Sequence, residues 1–226
     1  MEQSVYIIHL ETSTKVCSAS LSCDGNSIVK KESHEGFDHA ANLTVFMDDC
    51  LKEGGITIKD ISAVAVSAGP GSYTGLRVGF SVAKGVCFAR NIPLIYIPTL
   101  ETLIEKAVST HPEYDYYVPM LDARRSEVYT MTVNPSKNEV EHLRPLVLEE
   151  GCFHSLTGKV LYFGNGAKKM EPLKKVEDTI IDLPCSATYQ SSIAYKKFMA
   201  SDYQDMAYAI PLYLKPPNIT KPKPAL

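Results

Sequence analysis

The stretch SAGPGSYTGLRVG, residues 67–79, separates two apolar segments of different kinds. The segment before it, residues 61–66, is short and rich in β-branched side chains, which predicts a buried strand. The segment after it, residues 76–89, is long and mostly apolar, which predicts a helix. The order strand, glycine-rich turn, helix is typical of an α/β fold.

The glycine-rich turn can serve either a ligand or the packing of the fold. Its glycines let the backbone approach another group closely, and Ser72 or Thr74 can cap the helix so that free N–H groups point outward. Such N–H groups often bind phosphate or carboxylate. The stretch lacks the Lys of a Walker A loop, and it has Thr74 where a dinucleotide loop has its third Gly. An anion site and a tight turn that packs a helix on a sheet both remain open, and the candidate anion-site residues are Thr12, Ser13, Gly69, Gly71, Ser72 and Thr74.

The composition is that of an ordinary globular protein. The chain has 226 residues, of which 45% are hydrophobic and 22% charged, and its formal net charge is -3. This balance does not fit a basic nucleic-acid-binding domain. No apolar stretch reaches transmembrane length and no charged-then-apolar leader opens the chain, so no membrane attachment is expected. The six cysteines include no Cys-x-x-Cys pair, which favours reduced core residues in a cytoplasmic protein.

Strand and helix patterns follow one another through the first half of the chain. Three short strands, the last two joined at the hairpin signal Asp24-Gly25-Asn26, precede a helix, and the strand and helix around the glycine-rich turn come next. The resulting order, βββαβαβα, is similar to the half-repeat of the actin-like ATPase and sugar-kinase superfamily. The further predicted elements are strands at residues 5–10, 16–22, 27–33 and 94–97 and helices at residues 38–51 and 98–108.

The second half predicts a further sheet with a final helix. Its predicted strands lie at residues 116–121, 127–133, 140–148 and 160–163, and its helix at residues 186–200. We therefore expect an N-terminal lobe over residues 1–98 and a C-terminal lobe over residues 99–214, whose last helix can return to the first lobe. Residues 215–226 are rich in Pro and Lys and predict a loose tail.

A compact charge cluster, DARRSEVY at residues 122–129, follows the first strand of the second half. An acid, two adjacent arginines and a second acid lie close together there. The pattern favours a turn between two strands that is tied by salt bridges, and a ligand contact is the alternative.

Few side chains are placed for catalysis. His34 and His39 are five residues apart with Gly36 between them, so on a helix they would not share a face, and a zinc site is not expected. Glu11 follows the first strand, where a sugar kinase often carries an Asp that holds magnesium or a nucleophile. We therefore predict no catalytic residue and no metal site.

Two predicted helices carry more apolar surface than packing on one sheet requires. The helix at residues 38–51 has an apolar stripe, and the helix at residues 76–89 is apolar on more than one side. Gly75 and Gly79 would let another helix approach closely. A partner surface and a purely internal core both remain open, and the predicted partner-binding residues, all on these apolar faces, are Leu43, Phe46, Met47, Cys50, Leu76, Phe80, Ala83 and Cys87.

Several motifs together carry a specific resemblance. These are ETST at residues 11–14, the stretch at residues 67–79, DARRSEVY at residues 122–129, GNG at residues 164–166 and PLY at residues 211–213. Over nearly its whole length the chain resembles the TsaB (YeaZ) family, the non-catalytic subunit of the bacterial tRNA threonylcarbamoyladenosine machinery.

The resemblance implies an actin-like ATPase (ASKHA) fold of two lobes and a scaffold function. It implies as partners the catalytic subunit TsaD, the ATPase subunit TsaE and tRNA through the complex, with a homodimer formed by the chain alone. It implies no cofactor of the chain's own, although nucleotide can bind where the subunits meet. The metal-binding His pair of TsaD corresponds to Thr99 and Leu103 here, and a leucine cannot ligate a metal. Glu11 departs from the Asp more usual in the family.

Two other functions remain as alternatives. The first is a stand-alone ATP-dependent small-molecule kinase of the actin-like superfamily, which would bind nucleotide tightly. The second is a metallopeptidase, which would need a bound metal.

Overall fold

The computed structural model describes residues 4–36 and 38–216. Its first sheet contains β1 (Tyr6–Glu11), β2 (Cys17–Cys23), β3 (Asn26–Ser33), β4 (Ala63–Gly69) and β5 (Leu94–Pro98), in the order β3-β2-β1-β4-β5. The first three strands form an antiparallel meander, and β4 and β5 run parallel to β1. The predicted order of elements along this half, βββαβαβα, is confirmed.

Two helices, α1 (His39–Glu53) and α2 (Tyr73–Arg90), pack side by side on one face of the first sheet. The core between the helices and the sheet includes Leu10, Leu43 and Phe80, all of which are buried. Burial of this apolar face is the main term that holds both helices in place.

The start of α2 lies three residues earlier than the predicted residue 76. Ser72 caps the helix, because its Oγ accepts a hydrogen bond from the backbone N–H of Gly75 at 3.2 Å. The first turn of α2 is mostly polar, so the apolar pattern located only the part of the helix that follows it.

The other face of the first sheet carries several buried polar side chains beside an apolar cluster. Ser18, Ser20 and Ser22 alternate along β2 and are all buried on this face. A 3₁₀ turn (Ala187–Gln190) and helix α4 (Ser191–Met199) cover it. The single helix predicted at residues 186–200 is therefore two elements, and both lie against the first sheet although they follow the second one in sequence.

The second sheet contains β6 (Tyr116–Asp122), β7 (Glu127–Val133), β8 (Glu139–Val147), β9 (Val160–Phe163) and β10 (Thr179–Ile181), in the order β10-β9-β6-β7-β8. Helix α3 (Thr99–Thr110) packs on one face of this sheet, and a 3₁₀ turn (Ala167–Met170) lies near the other. The sequence did not predict β10, because three half-buried residues are too few to establish a period.

The C-terminal segment corrects the predicted boundary of the tail. Lys215 is half-buried and forms an ion pair with Glu127, so it does not belong to a loose tail. The Lys-Pro repeat at residues 221–224 lies outside the described residues. In the part of the chain that the structure describes, no helix has the length and apolar character needed to cross a membrane.

Candidate functional site

The glycine-rich turn rests directly on the polar turn that follows β1. The backbone N–H of Ser72 donates to the Ser13 carbonyl oxygen at 2.6 Å. A Cβ added to Gly71 would overlap that same carbonyl, and a Cβ added to Gly75 would overlap the carbonyl oxygen of Thr12. Both glycines therefore let the start of the helix approach the backbone of the polar turn closely. This is the packing function, one of the two alternatives for the glycine-rich turn.

Glu11 is the centre of a buried hydrogen-bond network. One carboxylate oxygen accepts hydrogen bonds from the Ser13 backbone N–H at 2.7 Å and the Ser13 hydroxyl at 2.6 Å, and the other accepts from the Ser67 hydroxyl. Gln190 donates its side-chain N–H to Ser67 Oγ and to the Leu10 carbonyl oxygen, each at 3.0 Å. The network therefore joins β1, β4 and the 3₁₀ turn before α4.

Burial sets the electrostatics of this carboxyl group. Glu11 is fully buried, and desolvation raises its pKa above the ordinary value, although the hydrogen bonds from Ser13 and Ser67 act in the opposite direction. Both carboxylate oxygens already have protein donors. The carboxylate at the position where a sugar kinase often carries an Asp therefore forms hydrogen bonds inside the fold, away from the cleft described next.

A cleft of about 1040 Å³ separates the glycine-rich turn from the turn between β6 and β7. Of the six candidate anion-site residues, Ser13, Gly71, Ser72 and Thr74 line this cleft, while Thr12 and Gly69 lie behind it. The hydroxyls of Ser13 and Ser72 already bond to Glu11 and to the N–H of Gly75. The geometry therefore favours packing over anion binding at these two residues.

The charge cluster forms the opposite wall of the cleft. Asp122 accepts hydrogen bonds from the Arg124 backbone N–H at 2.6 Å and from Lys169 Nζ at 3.0 Å, and Glu127 pairs with Lys215. Salt bridges do stabilise this turn, but their cationic side chains are Lys169 and Lys215 and not the two adjacent arginines. Over residues 4–36 and 38–216, neither Arg124 nor Arg125 has a carboxylate within ion-pair distance.

The structure corrects the set of predicted partner-binding residues. Six of the eight are at most 4% exposed in the core of this chain, namely Leu43, Cys50, Leu76, Phe80, Ala83 and Cys87, and the other two, Phe46 and Met47, are half-buried. The six face the chain's own sheet, so they cannot contact a partner directly. The outward surface of the same helices carries Val45, which is 54% exposed, and Phe88, which is 79% exposed.

Sequence reasoning missed these two outward residues for a physical reason. A stripe of apolar residues gives the side of a helix that is buried, but it does not say whether the sheet or a partner buries it. The sequence feature that indicated an outward apolar residue was the second apolar side of α2, to which Phe88 belongs.

The histidines have local structural contacts. His39 Nε2 lies 2.9 Å from the Thr14 carbonyl oxygen and links the start of α1 to the polar turn, while the exposed His34 lies 3.4 Å from Glu32. Among the described residues, no group of three or more His, Cys, Asp or Glu side chains is arranged to hold a metal ion.

Two mixed five-stranded sheets with flanking helices and a cleft between them define an actin-like ATPase fold. The YeaZ structure from Pseudomonas aeruginosa is similar, with a TM-score of 0.79 at 22% identity, covering 93% of this chain and 100% of that one. An activator of 2-hydroxyisocaproyl-CoA dehydratase from Clostridium difficile has a TM-score of 0.54 at 9% identity, covering 88% and 97% of the two chains.

The sequence comparisons give the family. The model for TsaD, tRNA N6-adenosine threonylcarbamoyltransferase, matches residues 34–224, and the chain belongs to this family. Escherichia coli TsaB is 28% identical over 92% of this chain and 94% of its own length, and Haemophilus influenzae TsaB is 30% identical over 66% and 65%. A Bacillus thuringiensis transferase is 34% identical over 42% of this chain, a match that spans about a third of that protein. The resemblance to TsaB (YeaZ) predicted from the sequence is confirmed.

Gly71→Ala and Gly75→Ala should each lower the free energy of unfolding by about 1 to 3 kcal/mol, because the added methyl group would push α2 away from the polar turn. Denaturant unfolding measures this change. Gly85→Ala is the matched control, since Gly85 also lies in α2 but a Cβ there has no atom within 4 Å. The control should be neutral or stabilising by up to about 1 kcal/mol. Equal midpoints for all three variants would contradict the packing function.

Glu11→Gln should gain stability relative to wild type as pH rises. An acid whose pKa is raised in the folded state keeps its full contribution below its unfolded pKa and loses it as pH rises through the folded pKa. Glutamine does not titrate, so the difference in unfolding free energy between the variant and wild type should move in favour of the variant as pH rises above about 4, the ordinary pKa of a glutamate. The exposed Glu35→Gln corrects for the loss of one charge. A pH-independent difference would show that burial does not raise this pKa.

Proposed function

We propose that the chain is a non-catalytic scaffold subunit of the machinery that forms N6-threonylcarbamoyladenosine beside the anticodon in tRNAs that read codons beginning with A. It supports a catalytic homologue of the TsaD type. The observation that carries this proposal is similarity to TsaB proteins over nearly the whole chain, in a fold whose ATPase-like carboxylate is buried and fully hydrogen-bonded.

Two features of the site support a function without chemistry of its own. Glu11 has no exposed surface, so it cannot reach a metal–nucleotide complex in the cleft. Thr99 and Leu103, at the positions that correspond to the metal-binding histidines of TsaD, are fully buried in α3. Both features argue against the kinase and the metallopeptidase.

The outward surface of α1 and α2 supports a helix-to-helix interface. Val45 and Phe88 expose apolar side chains there, and Gly85 leaves open space in which a partner helix can approach closely. The occupant of this surface is the catalytic homologue TsaD, and a second copy of this chain when the chain is alone. The core residues predicted from sequence act behind the surface by fixing the positions of the two helices.

The proposed scaffold function implies further components of the complex. The ATPase TsaE and tRNA join the chain through the complex with TsaD. Nucleotide binds where the subunits meet, with Thr74 and the start of α2 as the part of the cleft that this chain contributes, and the chain acts in the cytoplasm.

Val45→Asp and Phe88→Asp should weaken self-association, and binding to the TsaD homologue, by at least about tenfold, because each buries an unpaired charge in the interface. Analytical ultracentrifugation measures both equilibria. Val176→Asp is the matched control, since Val176 is 99% exposed and lies in the second lobe. The control should associate like wild type.

Phe80→Asp serves as the folding reference, because Phe80 is only 4% exposed and a charge there should unfold the chain. Circular dichroism separates this outcome from a loss of association. If folded Val45→Asp and Phe88→Asp still associate like wild type, the interface lies on another surface.

Calorimetry with Mg-ATP separates the scaffold from the kinase. The isolated chain should bind more weakly than about 1 mM, a standard free energy of about -4 kcal/mol. A stand-alone kinase should bind with micromolar affinity, about -8 kcal/mol. Micromolar binding that Thr74→Ala removes would favour the kinase.

A further inference from the structure

Residues 209–215 lie along the first lobe without regular secondary structure, and we call this segment the strap. Lys84 on α2 donates its ammonium hydrogen to the Ala209 carbonyl oxygen at 3.1 Å. Further along, the Leu212 backbone N–H donates to the Ala68 carbonyl oxygen at 2.7 Å. The strap thus lies across the end of β4 and beside α2.

An aromatic cluster holds the strap at the first turns of α2. The rings of Tyr213 and Tyr73 have centroids 4.7 Å apart. Arg77 lies over the Tyr73 ring at 4.2 Å, and its Nε donates to the Tyr213 hydroxyl at 3.2 Å. Stacking and cation–π contact both favour the docked strap.

The glycine-rich turn is shaped to receive the strap. Gly69 has a φ of +104°, and a Cβ there would lie 2.8 Å from the Leu212 carbonyl oxygen. A side chain at Gly69 would therefore exclude the strap. This contact gives a structural reason for both the first glycine of the stretch and the Pro-Leu-Tyr motif near the C-terminus.

The strap then crosses to the second lobe. Lys215 forms an ion pair with Glu127 at the start of β7, and residues 212–216 line one side of the cleft. The two side chains remain 35% and 20% exposed, and an ion pair with this exposure contributes little free energy. The attachment to the second lobe is thus weaker than the attachment to the first.

We propose that the strap is a releasable latch between the lobes. While the Lys215–Glu127 pair is closed, the strap holds the cleft at its present width, and when the pair opens the lobes separate on that side. The latch couples the opening of the cleft to the first turns of α2, because Tyr73 and Arg77 contact the same segment.

Hydrogen exchange with mass spectrometry on the full chain tests the latch. Lys215→Glu and Glu127→Lys should each increase exchange in the peptide that contains Leu212 by about two- to fivefold, since a weak attraction becomes a weak repulsion. The double exchange, Lys215→Glu with Glu127→Lys, should restore wild-type protection. Lys137→Glu, which breaks a pair with Glu105 of similar exposure away from the cleft, should leave the strap protected.

Tyr213→Ala tests whether the strap is released as a unit. It should raise exchange over residues 209–216 as the charge reversals do, while β1 and β4 stay protected and show that the chain is folded. Unchanged exchange at Leu212 in all the variants would overturn the latch, as would a charge reversal that the double exchange does not rescue.

The width of the cleft is measured by electron paramagnetic resonance between spin labels in the two lobes. The labels occupy cysteines at the exposed Lys59 and Glu171, with the half-buried Cys23 and Cys152 replaced by serine. Lys215→Glu should give a longer and broader distance distribution than Lys137→Glu. Identical distributions would show that the strap does not control the cleft.

Discussion

The contact between the glycine-rich turn and the polar turn after β1 is the constraint on which the rest of the structure depends. Because Gly71 and Gly75 have no side chains, the start of α2 lies directly on the carbonyl groups of Ser13 and Thr12. This contact positions α2 on the sheet, where it packs against α1. Next to it, Ser67 hydrogen-bonds to Glu11 and closes a network that reaches Gln190 in the 3₁₀ turn before α4.

The same contact occupies polar groups that an actin-like ATPase fold could otherwise offer to a ligand. Ser13 and Ser72 line the cleft, but their hydroxyl groups form hydrogen bonds within the protein, to Glu11 and to the N–H of Gly75. Glu11 is likewise surrounded by protein donors instead of solvent. In the proposed scaffold function, the exposed apolar side chains of α1 and α2 are the surface that meets a partner.

Local sequence patterns predicted most of the helices and strands, because hydrophobic periodicity and turn residues depend only on residues that are close along the chain. They did not give the start of α2 at Tyr73, which depends on a cap, or the three-residue strand β10. The Glu11 network could not be predicted either, since Gln190 approaches it from 180 residues away along the chain. Helix periodicity likewise found the apolar faces of α1 and α2 but could not separate the core residue Phe80 from the outward residue Phe88.

The most direct test of the scaffold proposal is the rate of threonylcarbamoyladenosine formation in a mixture of this chain, the proposed TsaD-type and TsaE-type partners and tRNA. Glu11→Gln and Phe88→Asp are compared as folded proteins at equal concentration. A scaffold that acts through its helices predicts a rate near wild type for Glu11→Gln and a rate near background for Phe88→Asp. Loss of modification in Glu11→Gln, together with full activity in Phe88→Asp, would contradict it and place the function in the cleft.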